Sequence, residues 1–337
     1  MLTRLRPVLL LAGLALSILL TYFALRGIDF DEFLDALAEG DPVWFLGSFA
    51  VFAAAYVVRV LRWWILFEPE ARPPVRALVR AMLVGDFLTS LLPVLRLGEL
   101  ARVVVLHREV RTPRSVSLGT VVTERLYDSV ALLLLLFAAV PFAPPVSWLR
   151  AAALLFAVLG IGFAVTLLVL WRFGSRPLGF LLRPLALLPG FTRARAEIAA
   201  EGIVRGLTGL RKPQVALAAL GLSVLSWLGI SISFTLALHT VGLGLGLDAG
   251  ILVAVATTFS LLLPSLPASV GIFEAATLVA LEPYGVDDAV ALSGAVVIHV
   301  MTFLPFLVLG PIALRGHRLV VRRGQLHAAE SGGVRGA

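Results

Sequence analysis

The 337-residue chain is 59% hydrophobic and only 15% charged, with a mean hydropathy of +0.98. A soluble domain is nearer half apolar and a quarter charged, so the surplus belongs in lipid and a secreted or cytosolic globular protein is excluded. The net charge of +7 comes from arginine and a single lysine, Lys212, and the absence of cysteine excludes disulfides, thiolate metal sites and a cysteine nucleophile.

Arg4 and Arg6 precede an apolar run at 7–26 that is long for a secretory leader and lacks a small-x-small cleavage site, so it reads as an uncleaved first span. Residues 28–40 mix acids with Phe30, Phe33, Leu34 and Leu37 and read as an interfacial helix. Further runs long enough to cross a hydrocarbon layer lie at 42–67, 115–140, 148–171, 214–240 and 288–314. Two other apolar segments, 75–112 and 247–283, are interrupted near their centres by Pro93 to Gly98 and Pro264 to Gly271. Proline removes a backbone donor and glycine permits an irregular turn, so each reads as helix, break, helix. Irregular backbone at membrane depth survives only inside protein or beside a wet cavity, which favours re-entrant hairpins over pairs of kinked spans. Residues 191–210 read as an amphipathic linker helix, and the basic tail 316–337 as disordered beyond Gly324.

Charge orients these segments. Arginines at 4–6, 72–80, 108–114, 172–205 and 315–323, with Lys212, fall on one side, and acids at 29–41 and 282–288 on the other, which predicts a multi-pass membrane protein with both termini cytoplasmic. The basic balance thus reads as positive-inside topology and not as a nucleic-acid surface. The expected fold is an all-α polytopic membrane protein: an inverted repeat of three spans plus one re-entrant broken hairpin per half. The first repeat covers 1–140 and the second 141–315, with a cytoplasmic linker at about 172–213.

Charged residues inside the apolar segments are the candidate site. Arg96, Glu99 and Arg102 follow the Pro93 break, and Glu124, Arg125 and Asp128 lie in the next span. Each charge at the bilayer centre costs about 2.5–3.5 kcal/mol, so these six left unpaired would cost roughly 15–20 kcal/mol. They must pair or face water. One reading is a salt-bridged set that locks helices together; the other leaves one or two guanidiniums for an anionic ligand. In the second break Pro264, Pro267, Gly271 and Glu274 echo Pro93, Gly98 and Glu99; Glu274 either caps a half-helix or binds a cation or proton. His299, midway along the last span, is either a proton relay or a buried hydrogen-bonded histidine. Ser223, Ser226, Ser231, Ser233 and Thr235 form a stripe read as helix-packing glue. The chain has no phosphate loop, nucleophile elbow or metal-ligand spacing, and no cofactor or metal is expected.

The stretches "RVLRWWILF", "SLLPVLRLGELARVVVLHR", "TVVTERLYDSVALL" and "PASVGIFEAATLVALEPYGV" resemble the flippase-like transmembrane domain of bacterial lysylphosphatidylglycerol synthases over about residues 8–315. The resemblance implies a membrane domain that moves a phospholipid between leaflets. The expected ligand is an anionic or zwitterionic phospholipid, with Arg96 and Arg102 on phosphate, Glu99, Glu124 and Asp128 orienting them or binding an amine, and Glu274 at the opposite gate. The aminoacyl-transferase domain of two-domain relatives has no counterpart in these residues, so the expectation is a transporter and not an enzyme. Rival readings are an intramembrane enzyme of lipid or polyprenol-sugar metabolism and a non-catalytic partner of a separate transferase or glycosyltransferase.

Overall fold

The computed structural model describes residues 30–91, 97–144, 212–261 and 267–333, with scattered positions between 154 and 206. Among the described residues every regular element is helical. A short helix α1 (Phe30–Ala38) leads to α2 (Pro42–Ile65), whose start follows from its sequence. The Asp41 carboxylate accepts a hydrogen bond from the Val43 N–H at 2.8 Å, and Pro42 occupies a first-turn position whose amide would lack a helical partner anyway.

The first interrupted segment forms α3 (Val75–Leu91) and α4 (Leu97–Val110), followed by the long α5 (Arg114–Ala139). The same order recurs as α6 (Pro213–Thr240), the pair α7 (Leu247–Ser260) and α8 (Ile272–Leu281), and α9 (Asp288–Gly333). The expected spans at 7–26 and 148–171, the linker helix, and Pro93, Arg96 and Pro264 lie outside the described residues or are described only at scattered positions. At the other end α9 runs on to Gly333, past the Gly324 after which order was expected to fail. Gln325, Leu326, Ala328, Ala329 and Glu330 are good helix formers, which accounts for the continuation.

Three of these helices, Pro42–Ile65, Pro213–Thr240 and Asp288–Gly316, are long and apolar enough to cross a membrane. α5 is as long, with 26 residues, but carries Glu124, Arg125 and Asp128 in its middle. The distribution of polarity is that of a lipid-facing protein. α2 exposes Val43, Leu46 and Val57 while burying Ser48 and Arg62 completely. In water this arrangement would forfeit the burial of large aliphatic side chains, whereas in lipid an outward valine or leucine loses nothing.

Helix contacts follow the same rule. α2 and α6 lie against each other through small residues: Ser48 and Ser233 each donate a hydroxyl to the other's carbonyl at 2.9 Å, and a Cβ on Gly229 would stand 3.0 Å from the Ala55 methyl. Ser226 reaches the Ala55 carbonyl in the same seam, so Ser226 and Ser233 act as packing glue, while Ser231 and Thr235 bond back to carbonyls of their own helix. Apolar clusters flank the charged centre. One gathers Phe52, Phe234, Leu252, Phe273 and Phe306, and the other gathers Trp63, Leu78, Met82 and Leu106.

α3 and α4 approach even more closely, because Gly98 is packed on Gly85. A Cβ at Gly98 would lie 2.1 Å from the Gly85 carbonyl oxygen and from the Thr89 hydroxyl. The neighbour is backbone and has no room to give. Gly98→Ala is therefore expected to push α4 off α3 and lower stability by about 1–3 kcal/mol or more, read as a fall in the thermal midpoint of the detergent-solubilised protein. Ala substitution at Gly221, which meets nothing within 4 Å, is the matched control and should leave that midpoint nearly unchanged.

Candidate functional site

The charged residues of α5 meet partners from three other helices. Glu124 is fully buried and bridges two guanidiniums: its Oε1 accepts from Arg62 Nη2 at 2.8 Å and its Oε2 from Arg102 Nη2 at 2.7 Å. Asp128, one turn further along, accepts from Arg62 Nη1 and, at 2.8 Å, from the indole N–H of Trp227. Arg62 also donates to Ser223 Oγ at 2.9 Å, so this one serine of the α6 stripe serves the charge cluster. The Arg102 guanidinium stacks 4.2 Å over the Trp63 ring, whose N–H is itself satisfied by Thr120 at 3.0 Å. α2, α4, α5 and α6 are thus tied together at one level.

A second tier of charge is less enclosed. Arg125 Nε stands 3.2 Å from Glu99 Oε1, with side-chain exposures of 32% and 25%. Arg59 lies 3.9 Å from Glu124 and 5.9 Å from the Tyr56 ring centre, while the Tyr56 hydroxyl donates to Asp86 at 2.8 Å. Glu99 and Arg102 share a face of α4 as expected, and each reaches across to α5, Glu99 to Arg125 and Arg102 to Glu124. Each such contact ties two helices together at one point.

Between the halves lies a cavity of about 200 Å³. The first half of the chain lines it with Arg59, Asp86, Glu99, Arg102 and Arg125 beside Phe52, and the second half with Phe234, Phe273, Phe303 and Phe306 together with Thr257, Thr258 and Thr302. The lining thus combines fixed charge of both signs with aromatic surface and a few hydroxyls. Such a chamber suits an amphiphile with an ionic head.

At the second break the backbone turns sharply. Pro267 opens a short 3-10 turn, Pro267–Ser269, and Ala268, Ser269 and Gly271 have φ of 57°, 61° and 84°. The two non-glycine residues each cost about 1–2 kcal/mol in this region. Glu274 holds the turn: its Oε2 accepts from the Gly271 N–H at 2.7 Å, which is the capping role foreseen for it, and its Oε1 lies 2.5 Å from His299 Nδ1. His299 Nε2 reaches the Ala268 carbonyl at 2.9 Å.

The family model for the lysylphosphatidylglycerol synthase TM region matches residues 10–310. The chain belongs to this family. No curated protein matches it. Membership in the lysylphosphatidylglycerol synthase TM family, with the membrane-capable helices, places the protein in a membrane and fits a role connected with lipid. For this member of the family the structure brings together Glu99, Arg102, Glu124, Arg125 and Asp128 at the cavity or just behind it, and sets Glu274 and His299 apart at the second break. Sequence reasoning passed over Arg59, Arg62, Tyr56 and Trp227. The two arginines carried a usable signal, since a charge within an apolar span is costly wherever it falls.

Proposed function

We propose that the protein carries a phosphate-headed membrane lipid between leaflets, with the headgroup in the cavity and the acyl chains in the bilayer. The observation that carries this reading is a single cavity lined both by charged side chains and by aromatic ones, in a chain with membrane-capable helices. Arg59 and Arg125 supply guanidiniums for the phosphate, whose planar forks suit bidentate contact. Glu99 and Asp86 in the same lining suit a positive substituent, so a zwitterionic or aminoacylated headgroup matches the lining better than a bare anion. The repeated order of long helix, interrupted pair and long helix supports two inverted halves whose breaks act as alternating gates. The arginine-rich loops support an inner-membrane orientation with both termini cytoplasmic.

Translocation is tested by reconstituting the full chain into vesicles that contain headgroup-labelled fluorescent phosphatidylethanolamine or phosphatidylglycerol, and adding an impermeant quencher. Inner-leaflet label should become accessible in proteovesicles faster than in protein-free vesicles, with each lipid's mass unchanged. Rates no faster than in protein-free vesicles, for either lipid, would overturn the reading, and conversion of the lipid to a new mass would transfer the cavity to an enzyme.

A further inference from the structure

The hydrogen bonds at the second break can be satisfied only with a particular number of protons. The Ala268 carbonyl is an acceptor alone, so His299 Nε2 must carry hydrogen. The other ring nitrogen faces a carboxylate oxygen of Glu274 at 2.5 Å, a separation at which two lone pairs repel. A proton therefore occupies that contact, either on the ring as imidazolium against carboxylate or on the acid against a neutral ring. In both forms the pair holds one proton more than a neutral histidine beside an ionised glutamate.

From this geometry we infer that His299 and Glu274 form a proton-binding latch, whose proton fastens the Ala268–Gly271 turn to α9 and whose loss frees it. The pair spans three elements, since Glu274 grips the Gly271 amide from α8, and His299 on α9 grips the Ala268 carbonyl. Phe273 and Phe303 flank the imidazole with ring centres at 4.8 and 4.5 Å, and both also line the cavity, as does Ser269 in the turn. The latch thus borders the ligand chamber, which gives the proton a route to it. Deprotonation leaves the ring one hydrogen for two acceptors, so it must release either the Glu274 carboxylate or the Ala268 carbonyl, and the positive-φ residues of the turn lose part of the clasp that holds them. The chemical class of the ligand is the proton itself, and its binding would couple a proton gradient to the state of the second break.

The charged groups nearest in the adjoining cavity are Arg59 on α2, Asp86 on α3, Glu99 and Arg102 on α4, and Arg125 on α5, which line it together with Ser269, Phe273 and Phe303. On the remaining neighbours the titratable groups are engaged elsewhere or lie at helix ends. His239 on α6 bonds the Leu245 carbonyl, Asp248 on α7 accepts from Tyr284, and Asp31 and Asp35 belong to α1. The sign is fixed by the proton count. Acid conditions keep the latch closed, and rising pH opens it.

The gating consequence rests on the translocation reading, whereas the latch does not, so the experiment reads the turn directly. In this cysteine-free chain Val270→Cys, at a site 44% exposed, carries a single spin label in nanodiscs, and label mobility is followed from acid to alkaline pH. Wild type should pass from an immobile to a mobile spectrum as pH rises. Glu274→Gln should stay immobile through the alkaline range in which wild type opens, because a glutamine amide donates to Nδ1 of the neutral ring and still accepts from Gly271. His299→Ala should stay mobile at every pH. A wild-type spectrum unchanged across the range, or a Glu274→Gln spectrum that titrates as wild type does, would overturn the latch. Lipid transport is not needed for any of these readings, so loss of the translocation proposal alone leaves the result interpretable.

Discussion

Glu124→Ala is expected to abolish accumulation of folded protein, the largest effect of any single substitution at the charged centre. Its carboxylate is fully buried and shared between Arg62 on α2 and Arg102 on α4, so truncation strands two guanidiniums at once. Breaking one buried pair costs about 3–5 kcal/mol, and a whole domain has only about 5–15 kcal/mol in hand. Asp128 still faces Arg62, but nothing comparable replaces the Glu124 contact to Arg102. The double variant Glu124→Gln with Arg102→Met should recover much of the loss, because it removes one charge of each sign and leaves Arg62 on Asp128. Size-exclusion profiles and thermal midpoints in detergent read both outcomes. If Glu124→Ala elutes and melts like wild type, the cluster is not a lock, and its arginines must be compensated by water from the cavity.

The helices were legible because lipid makes run length diagnostic. Expected spans at 42–67, 115–140 and 214–240 appear as Pro42–Ile65, Arg114–Ala139 and Pro213–Thr240, each opening on or beside a proline. The second break was legible because Pro267 and Gly271 fall in the interval between Ser260 and Ile272, although Gly310 and Pro311 lie inside α9 without ending it. Charge in an apolar context marked Glu99, Arg102, Glu124, Arg125 and Asp128. Pairing was not legible. Glu99 and Arg102 have the spacing of partners, yet each reaches across to α5, and that contact depends on which face of α4 turns to α5. Arg59 and Arg62 stand near the end of a long span, where a cationic side chain is ordinarily read as reaching for the interface. Glu274 and His299 were each visible alone, but they stand 25 residues apart on successive helices, and only the fold makes them one unit.

Arg59→Gln should reduce lipid translocation at least tenfold with little change in thermal midpoint, while Arg62→Gln, one turn away on the same helix, should do damage chiefly to stability. Arg62 has no exposed side-chain surface and is saturated by Glu124, Asp128 and Ser223. Its removal leaves two carboxylates short of their main cation. Arg59 keeps 19% of its side chain exposed, stands 3.9 Å from Glu124 and lines the cavity. A hydrogen bond to a charged group contributes about 1.5–3 kcal/mol, or roughly 10- to 150-fold, so a phosphate held by Arg59 would feel its loss in transport before the fold does. Arg59→Lys separates charge from geometry: an ammonium preserves the field but not the fork, and partial activity is expected. The measurement is the initial rate of quencher access in matched proteovesicles, normalised to folded protein. Wild-type rates in Arg59→Gln would remove the phosphate ligand from the charged lining, and with it the argument that this lining faces a headgroup.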